Sequence, residues 1–186
     1  MGKLRIIAGK WKGRKVDVLE SNQLRPTADR VRETLFNWLM HDIVSAHCLD
    51  LFAGTGILGL EALSRGAAFV SFIEQDKVLT QHLKILLQRL TVTAEEMEVI
   101  SSDALHWLDR QSAAKRYDIA FVDPPFAFDI YPILNKIAEN KIMNENAIVY
   151  IEQGEALVPE HLPKSWHLYK HQKSGQVHYH LIRCGR

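Results

Sequence analysis

The feature that most limits how this chain can fold is an alternation, from residue 48 onward, of short apolar segments with longer amphipathic ones. Cys48–Phe52 and Tyr117–Val122 have the length and apolar content of buried strands. Lys77–Leu90 repeats leucine at helical spacing, which predicts a helix with one apolar face. Strands that alternate with helices form parallel sheets, because each connection has to cross back over the sheet. The pattern therefore predicts an α/β fold with a doubly wound, mostly parallel sheet.

Further segments continue this alternation, and a predicted hairpin lies near each end of the chain. The other predicted helices are Ala28–Ile43, Ile57–Arg65, Asp103–Ala113 and Ile130–Glu139, and the other strands are Ala68–Ile73, Met97–Ile100 and Ala147–Ile151. Trp166–Gln172 and Gln176–Ile182 flank a Ser-Gly turn, which predicts a C-terminal antiparallel hairpin at the sheet edge. Leu4–Ala8 and Arg14–Leu19 flank a glycine-bounded turn and predict a small N-terminal β-hairpin. We therefore divide the chain into a basic hairpin extension, residues 1–24, and a main domain, residues 25–186.

Lysine and arginine are concentrated at the two ends of the chain. Residues 1–32 hold nine of them against three acids, and residues 164–186 hold five against none. The segment between carries an excess of acids, so the formal net charge is only +1. Basic surfaces on an acidic body favour docking of a polyanion such as a nucleic acid. An unevenly charged soluble surface is the alternative interpretation.

The composition excludes several classes of protein. The chain is 47% hydrophobic and 24% charged, as in soluble globular proteins. It has no apolar run of about 18 residues, so no transmembrane helix and no membrane partner are expected. The first residues lack the apolar stretch of a signal peptide. The two cysteines, Cys48 and Cys184, lie in apolar segments and are expected to be buried free thiols in the cytoplasm.

A glycine-rich turn follows the first strand of the alternating part, in the sequence Asp50-Leu-Phe-Ala-Gly-Thr-Gly56. Glycines let the chain turn sharply and let a ligand approach the bare backbone. From this turn we predict the cofactor-binding residues Asp50, Phe52, Ala53, Gly54, Thr55 and Gly56. Because Gly59 completes the spacing of the dinucleotide fingerprint, binding of a nicotinamide dinucleotide is a competing interpretation at this point.

Two acids at the ends of later strands refine this prediction. Glu74 ends the second strand of the alternating part, where a carboxylate can accept hydrogen bonds from both ribose hydroxyls of an adenosine. Asp103 follows the third strand and is predicted, with Ala104, to lie beside the adenine. Each acid could alternatively be a solvated strand end or a helix cap.

The tetrapeptide Asp123-Pro124-Pro125-Phe126 ends the fourth strand, at the edge where open α/β sheets bind ligands. Prolines lack N–H donors, so the turn presents a carboxylate, backbone carbonyls and an aromatic face. Asp123 and the Pro124 carbonyl could accept hydrogen bonds from the two N–H groups of an exocyclic NH2 group. Phe126 could stack on the ring that carries this group. We therefore predict these four residues as the catalytic turn of an S-adenosylmethionine-dependent amino-methyltransferase. An ordinary Pro-Pro loop with a buried phenylalanine is the alternative.

Several blocks of the sequence resemble those of one family. They are Arg5-Ile-Ile-Ala-Gly9, Gly13-Arg14, Arg25-Pro-Thr27, Arg30-Val-Arg-Glu-Thr-Leu-Phe-Asn37, Asp50–Gly56, Leu58–Ala67 and Asp123–Phe126. Over residues 3–182 the chain resembles the bacterial 16S rRNA guanine-N2 methyltransferases of the RsmD type. This resemblance implies a Rossmann-like methyltransferase domain that uses S-adenosylmethionine to methylate one guanine of 16S rRNA, on an assembled or assembling small ribosomal subunit.

The basic residues near the N-terminus are the predicted RNA contacts. They are Lys10, Lys12, Arg14, Arg25 and Arg30, and the aromatic Trp11 is predicted to join them. The lysines and arginines would bind phosphates, and Trp11 would either stack on the RNA or pack within the hairpin. Thr27 and Arg25 are expected to donate hydrogen bonds to the methionine carboxylate of the cofactor, beside the N-terminus of the helix that begins at Ile57. We expect a monomer.

Three other functions compete with this interpretation. A DNA adenine or cytosine amino-methyltransferase shares the chemistry but usually has a separate sequence-reading domain. A protein glutamine methyltransferase of release factors has a similar turn, commonly with Asn where Asp123 stands. An inactive RNA-binding module would have no need of Asp123 and Phe126. No metal site is predicted, because His178 and His180 alternate on the last strand without further ligands nearby in the sequence.

Overall fold

The computed structural model describes residues 2–18, 28–125 and 128–185. Within these ranges the helices are α1 (Ala28–Trp38), α2 (Ile57–Ser64), α3 (Lys77–Arg89), α4 (Ala104–Leu108) and α5 (Tyr131–Glu139). The strands are β1 (Gly2–Arg5), β2 (Lys15–Val18), β3 (His47–Asp50), β4 (Phe69–Glu74), β5 (Met97–Ser101), β6 (Tyr117–Val122), β7 (Met143–Gln153), β8 (Trp166–Ser174) and β9 (Val177–Cys184). None of these helices approaches the length or apolar character of a membrane span.

Seven of the strands form one mixed sheet in the order β5-β4-β3-β6-β7-β9-β8. Neighbouring strands from β5 to β7 run parallel, and β9 runs antiparallel to both β7 and β8. This confirms the predicted doubly wound, mostly parallel sheet and its antiparallel C-terminal hairpin. The strand order reverses between β3 and β6, so the carboxyl ends of these strands border the crevice in which open α/β sheets bind ligands.

Side chains along each central strand alternate between two apolar layers. In β6, Ile119 and Phe121 belong to the layer that contains side chains of α1, α2 and α3. Ala120 and Val122 belong to the opposite layer, which contains side chains of α4 and α5. All four side chains are fully buried. Helices therefore cover both faces of the sheet, as the alternating sequence pattern predicts.

Two helices end five residues before their predicted ends, and the residues that follow them differ in burial. α1 ends at Trp38, whereas the prediction extended it to Ile43. After α1 ends, Leu39 and Ile43 are still buried, and the Ile43 N–H donates to the Leu39 carbonyl at 3.0 Å. Turns in this segment therefore keep the two side chains in the apolar core. α4 ends at Leu108 because residues 109–116 are largely exposed and offer no apolar face to pack against the sheet.

The predicted N-terminal hairpin is confirmed, since β1 and β2 pair antiparallel, and it docks on α2. The buried Glu61 carboxylate accepts hydrogen bonds from the backbone N–H groups of Ile7, at 2.8 Å, and Ala8, at 3.0 Å. The Trp11 N–H donates to Ser64 Oγ at 3.0 Å. The hairpin is thereby fixed to the helix that follows the glycine turn. The boundary placed at residue 24 lies outside the described residues.

The two cysteines are free and buried, as predicted. Burial raises the pKa of the Cys184 thiol to about 12. The pKa of Cys48 is also raised, first by burial and then by the charges of Asp118 and Asp50. Both thiols are therefore protonated at neutral pH and shielded from oxidants.

Candidate active site

A large cavity opens at the carboxyl ends of β3, β4, β5 and β6, where the strand order reverses. Its volume is about 1190 Å³, which is above the range of about 300–1,000 Å³ that is common for one small ligand. Eight residues predicted from separate parts of the sequence line it together: Phe52, Gly54, Glu74, Asp103, Ala104, Asp123, Pro124 and Pro125. The fold therefore brings the glycine turn, the two strand-end acids and the Asp-Pro-Pro turn into one site.

At two positions of the glycine turn, the backbone has a conformation that only glycine adopts without strain. Gly54 has a φ of 53° and Gly56 a φ of 74°. A Cβ atom at Gly56 would lie 2.4 Å from Leu83 Cδ1, so the turn packs tightly on α3. Gly54 lines the cavity, whereas Ala53, Thr55 and Gly56 are not among its lining residues in the described part of the chain.

Glu74 holds the glycine turn in place while it faces the cavity. Its Oε2 accepts a hydrogen bond from the Gly54 N–H at 2.7 Å, and its Oε1 accepts one from the Asp76 N–H at 2.7 Å. Each carboxylate oxygen has a second lone pair, so both can accept another hydrogen bond. Glu74 thus has both a structural role and the acceptors that the predicted ribose contact requires.

Asp103 combines a helix cap with a place in the cavity lining. Its Oδ1 accepts a hydrogen bond from the His106 N–H at 3.0 Å, which caps α4. Asp103 and Ala104 both line the cavity, on the side where β5 ends. The cap that sequence analysis kept as an alternative is therefore present and does not remove Asp103 from the site.

Asp50 lies beneath the glycine turn and is not among the described lining residues of the cavity. It is only 2% exposed, and its Oδ2 accepts a hydrogen bond from the Gly59 N–H at 3.0 Å. The pKa of Asp50 is raised to about 7, mainly by burial and to a smaller extent by the charge of Glu74, while the Gly59 hydrogen bond opposes this rise. Asp50 therefore ties β3 to α2 beneath the cofactor-binding turn.

The catalytic turn predicted from the sequence directly follows β6. Asp123, Pro124 and Pro125 line the cavity, and neither proline has an N–H to present there. This part of the site is consequently rich in hydrogen-bond acceptors. Phe126, the predicted stacking partner, lies outside the described residues.

A second carboxylate, which sequence analysis did not identify, lines the cavity beside this turn. Glu152, at the end of β7, accepts a hydrogen bond from the buried Tyr150 hydroxyl at 2.8 Å. Burial raises the pKa of Tyr150 well above its usual value, and the charges of Glu152 and Asp123 add to this effect. The two carboxylates, Glu152 and Asp123, therefore both raise the pKa of the same buried hydroxyl. The register of β6 with β7 brings them together, and no short motif signals it.

Arg32 is a second lining residue that sequence analysis missed. Its side chain is 4% exposed, and Nη2 donates to the Arg5 carbonyl at 3.1 Å and pairs with Asp29. Its Nε and Nη1 have no hydrogen-bond partner among the described residues. Buried cationic donors without acceptors are costly, so this position suits an anionic group of a ligand. The sequence did contain a signal for this role, because Arg32 lies one turn before the buried Phe36, on the apolar face of α1.

The predicted RNA contacts differ in how exposed they are in the structure. Lys12 and Arg14 are exposed on the N-terminal hairpin, and Arg30 is exposed on α1. Side chains bound for a phosphate backbone need this exposure. Arg25 and Thr27 lie outside the described residues.

Lys10 and Trp11 differ from the other hairpin residues. Lys10 Nζ forms an ion pair with Glu96 at 2.9 Å and lies 4.4 Å from the centroid of the Trp11 ring. Trp11 is 7% exposed and belongs to the apolar core. Packing within the hairpin, the alternative to stacking on RNA, is therefore the arrangement that Trp11 adopts here.

Carboxylates dominate the charge of the cavity. The acidic lining residues are Glu74, Asp76, Asp103, Asp123, Asp129, Glu152 and Glu155. Among the described lining residues, only Arg32 is a lysine or arginine. Such a site favours a ligand that is cationic or rich in N–H and O–H donors. S-adenosylmethionine, with a sulfonium and two ribose hydroxyls, fits this set, whereas a dinucleotide diphosphate would add negative charge to it.

Comparisons with known proteins give the same picture. Residues 4–183 match the family described as Conserved hypothetical protein 95. The chain is 46% identical to the ribosomal RNA small subunit methyltransferase D of Haemophilus influenzae. The alignment spans 183 residues and covers 98% of this chain and 94% of that relative. A solved structure of a putative methyltransferase, yhhF, from Escherichia coli has 41% identity and a TM-score of 0.88, with 99% of each chain covered.

A more distant structure shares the fold. The putative methyltransferase SMU.776, solved as a complex with SAH, is 16% identical, has a TM-score of 0.71 and covers 92% of this chain and 54% of its own. The close relatives extend this likeness to sequence along almost the whole chain. The chain therefore belongs to the ribosomal RNA small subunit methyltransferase D family, the RsmD type that its sequence blocks resemble.

Proposed function

We propose that this chain transfers the methyl group of S-adenosylmethionine to the exocyclic N2 of one guanine in 16S rRNA. The observation that carries the proposal is the convergence of Asp123 and Pro124 with Gly54 and Glu74 in one cavity. One part of the cavity suits an adenosine, and the other presents acceptors to an amino group. Two ligands that meet need more room than one, and the volume of about 1190 Å³ provides it.

Residues after β3, β4 and β5 form the cofactor half of the site. Glu74 offers carboxylate oxygens to the ribose hydroxyls, and Asp103 lies where it can reach the adenine. Ile57 and Leu58 begin α2 and line the cavity. The residue before them, Gly56, has no side chain to cap the helix, and Asp50 accepts from the Gly59 N–H, so the N–H groups of Ile57 and Leu58 are the ones proposed to hold a carboxylate. When bound, S-adenosylmethionine supplies a methyl group made electrophilic by its sulfonium.

The Asp-Pro-Pro turn and Glu152 form the acceptor half. Guanine has N–H donors at N1 and N2 on its Watson–Crick edge. In this proposal, the Asp123 carboxylate and the Pro124 carbonyl accept hydrogen bonds from the two N2 hydrogens, and Glu152 accepts one from N1. Engaging both N2 hydrogens reduces delocalisation of the nitrogen lone pair into the ring and aims it for attack. Phe126 is proposed to stack on the base.

Asp123 acts in this proposal as an acceptor that orients the amine rather than as a strong base. The nitrogen becomes strongly acidic once it is methylated, so its proton can leave late, to Asp123 or to water. The main contribution of the protein is alignment, which supplies up to about 7–11 kcal/mol in well-oriented systems. In this proposal, the rigid backbone of Pro124 and Pro125 therefore matters more than the strength of a catalytic base.

Contacts outside the cavity would hold the RNA. Exposed Lys12, Arg14 and Arg30 are proposed to bind phosphates there, whereas Arg32, which lines the cavity, suits the phosphate beside the target nucleotide. Because Glu61 anchors the hairpin on α2, RNA bound by the hairpin is held at a fixed distance from the glycine turn. The target base has to leave its stack to enter the cavity.

The proposal includes the context of the reaction. The substrate is an assembled or assembling small ribosomal subunit, and the protein acts as a monomer in the cytoplasm. The basic ends of the chain and its two free, buried thiols support this setting. Sedimentation of the purified protein, alone and with small subunits, measures both the oligomeric state and the partner.

The test is a methyl-transfer assay with labelled S-adenosylmethionine, followed by analysis of the modified nucleosides. Small subunits that lack the modification, naked 16S rRNA, duplex DNA and a release factor serve as parallel substrates. We expect label in N2-methylguanosine from the small subunit. Label in methyladenine or methylcytosine of DNA, or in glutamine, would assign the site to one of the competing amino-methyltransferases.

A further inference from the structure

Three histidines of the C-terminal hairpin form a cluster outside the residues assigned above. His171 lies on β8, and His178 and His180 lie on β9. The antiparallel register pairs His171 with His180, and His178 follows the same face of β9 because side chains alternate along a strand. One ring nitrogen from each lies within 4.8 Å of the other two. The strand register thus adds the third ligand that sequence spacing did not reveal.

Two of these rings already have a separation close to that of metal ligands. His171 Nε2 and His178 Nδ1 lie 3.0 Å apart and share a hydrogen bond. Tetrahedral zinc ligands at about 2.0–2.1 Å from the ion lie about 3.3–3.4 Å from one another. The rings of His171 and His180 are stacked with centroids 4.5 Å apart and planes inclined by 6°. His171 is exposed and His178 half-buried, so these two rings can rotate until their lone pairs converge.

The third ring, His180, is buried and has one unpartnered nitrogen. Its Nε2 accepts a hydrogen bond from the Leu157 N–H at 3.2 Å, and its Nδ1 has no partner among the described residues. A neutral ring that accepts at Nε2 carries its proton on Nδ1, so coordination of an ion requires this ring to exchange its present hydrogen bond.

We propose that His171, His178 and His180 bind one divalent transition-metal ion of the zinc type, with water as the fourth ligand. Three histidines and an open position form a well-known zinc arrangement, and neutral imidazole is a strong ligand for such ions. The proton that now joins His171 to His178 moves through solvent to the other nitrogen of its ring. All three rings then coordinate as neutral imidazoles.

Metal binding competes with the hydrogen bond between His180 and Leu157. A neutral imidazole has one available lone pair, so coordination through Nε2 displaces the Leu157 N–H directly. Coordination through Nδ1 moves the ring proton to Nε2, which then can no longer accept. Ala156 and Val158, on either side of Leu157, line the large cavity. An ion in the cluster therefore removes one of the hydrogen bonds that hold a segment bordering the proposed acceptor site, although the metal site itself does not depend on the proposed methyl transfer.

One nearby cation opposes the bound ion. Lys173 pairs with His178 across the β8–β9 ladder, on the same face as the cluster. Replacing Lys173 with Gln should therefore strengthen metal binding without touching a ligand.

The first test titrates zinc into tag-free protein that has been stripped with a chelator, followed by calorimetry. Cobalt(II) in place of zinc reports the coordination geometry through its visible absorption. We expect one site, with tetrahedral cobalt bands, that is lost in the double variant H171A/H178A and tightened in K173Q. The double variant H41A/H106A removes two exposed histidines elsewhere and should bind as the parent does. Absence of a site in the parent protein, or equal binding by the two double variants, would overturn the proposal.

The second test measures amide hydrogen exchange in residues 154–158, with and without saturating zinc. Faster exchange in the zinc-bound parent, and no change in H171A/H178A, is the expected result. Zinc that binds the cluster but leaves exchange of this segment unchanged would refute the competition with Leu157. Neither result depends on methyl-transfer activity, so the outcome is separate from that of the proposed function.

Discussion

The carboxylate of Glu74 accepts a hydrogen bond from the backbone N–H of Gly54 across 2.7 Å, which joins the end of β4 to the turn after β3. The same carboxylate lines the cavity and keeps acceptor capacity for a ligand. The side chain that shapes the glycine turn is therefore also the one proposed to hold the ribose, so turn geometry and cofactor binding depend on one residue.

Replacement of Glu74 with Ala should weaken S-adenosylmethionine binding by about 1.5–3 kcal/mol, because the variant cannot form charge-assisted hydrogen bonds to the ribose. Calorimetry with the cofactor and with its demethylated product measures the change. Glu95→Ala, which removes an exposed acid far from the cavity, is the matched control. Unchanged cofactor affinity in the folded Glu74 variant would remove this residue from the site, and binding of NADH instead would reject the methyltransferase assignment.

The docking of the hairpin on α2 depends on the two oxygens of Glu61. In Glu61→Gln, one of them becomes an NH2 group that faces a backbone N–H of Ile7 or Ala8, and the buried pair with Arg65 loses its charge. We expect a loss of about 3–5 kcal/mol in the free energy of unfolding, as for other broken buried pairs. Amide exchange of residues 2–18 should accelerate. Glu139→Gln, on the exposed side of α5, should leave both measurements unchanged.

The exposed basic residues of the hairpin should determine how RNA binding responds to salt. Replacing Lys10, Lys12 and Arg14 with Ala should weaken binding and flatten its salt dependence by about 0.7–0.9 for each phosphate that the variant no longer binds. Binding of S-adenosylmethionine should be unaffected. Substitution of two exposed lysines elsewhere, Lys84 and Lys141, provides the control. A triple variant with the parent salt slope would show that RNA is held by another surface.

Asp50 makes the stability of the protein depend on pH in a particular direction. Its folded-state pKa of about 7 lies above the ordinary value of 3.8, so between these values the folded state binds more protons than the unfolded state. The free energy of unfolding therefore falls as pH rises from about 4 to about 7. Asp50→Asn keeps an acceptor for the Gly59 N–H but cannot ionise.

Denaturation curves of the parent protein and of Asp50→Asn across this pH range isolate the effect. The variant should gain roughly 1–4 kcal/mol relative to the parent as pH rises, because only the parent ionises a buried carboxyl. A stability difference that stays constant from pH 4 to pH 7 would mean that Asp50 titrates normally in the folded protein.

The sequence predicted the sheet and eight of the residues that line the cavity, because both predictions depend on local signals. Apolar alternation specifies strands and helices, and parallel strands bring their carboxyl ends to one edge of the sheet. Gly54, Glu74, Asp103 and Asp123 all lie at the end of a strand or within four residues after it, so the fold brings them together at one edge of the sheet.

Residues whose roles depend on register and burial could not be predicted in this way. Glu152 reaches the site through the pairing of β6 with β7, and His171 joins the other two histidines through the pairing of β8 with β9. Arg32 lies on an apolar helical face, where a charge is an exception to the pattern. Trp11 is buried because the hairpin folds back on α2, a contact between segments about 53 residues apart.

Asp123 carries the central claim, because it is the side chain proposed to hold and polarise the guanine amine. Asp123→Ala removes that acceptor and should lower the rate of methyl transfer by the equivalent of about 1.5–3 kcal/mol, with misalignment adding to the loss. The effect should lie mainly in turnover, since the interaction strengthens as the nitrogen rehybridises. Cofactor affinity and folding should change little.

The most direct measurement is the single-turnover rate of Asp123→Asn and Asp123→Ala on small ribosomal subunits, at saturating S-adenosylmethionine. Asn keeps an acceptor oxygen without the charge, so its rate should lie between those of the parent and the Ala variant. Equal rates for Ala and Asn, or a faster rate for Ala, would contradict the assignment of Asp123 as the acceptor of the guanine amine.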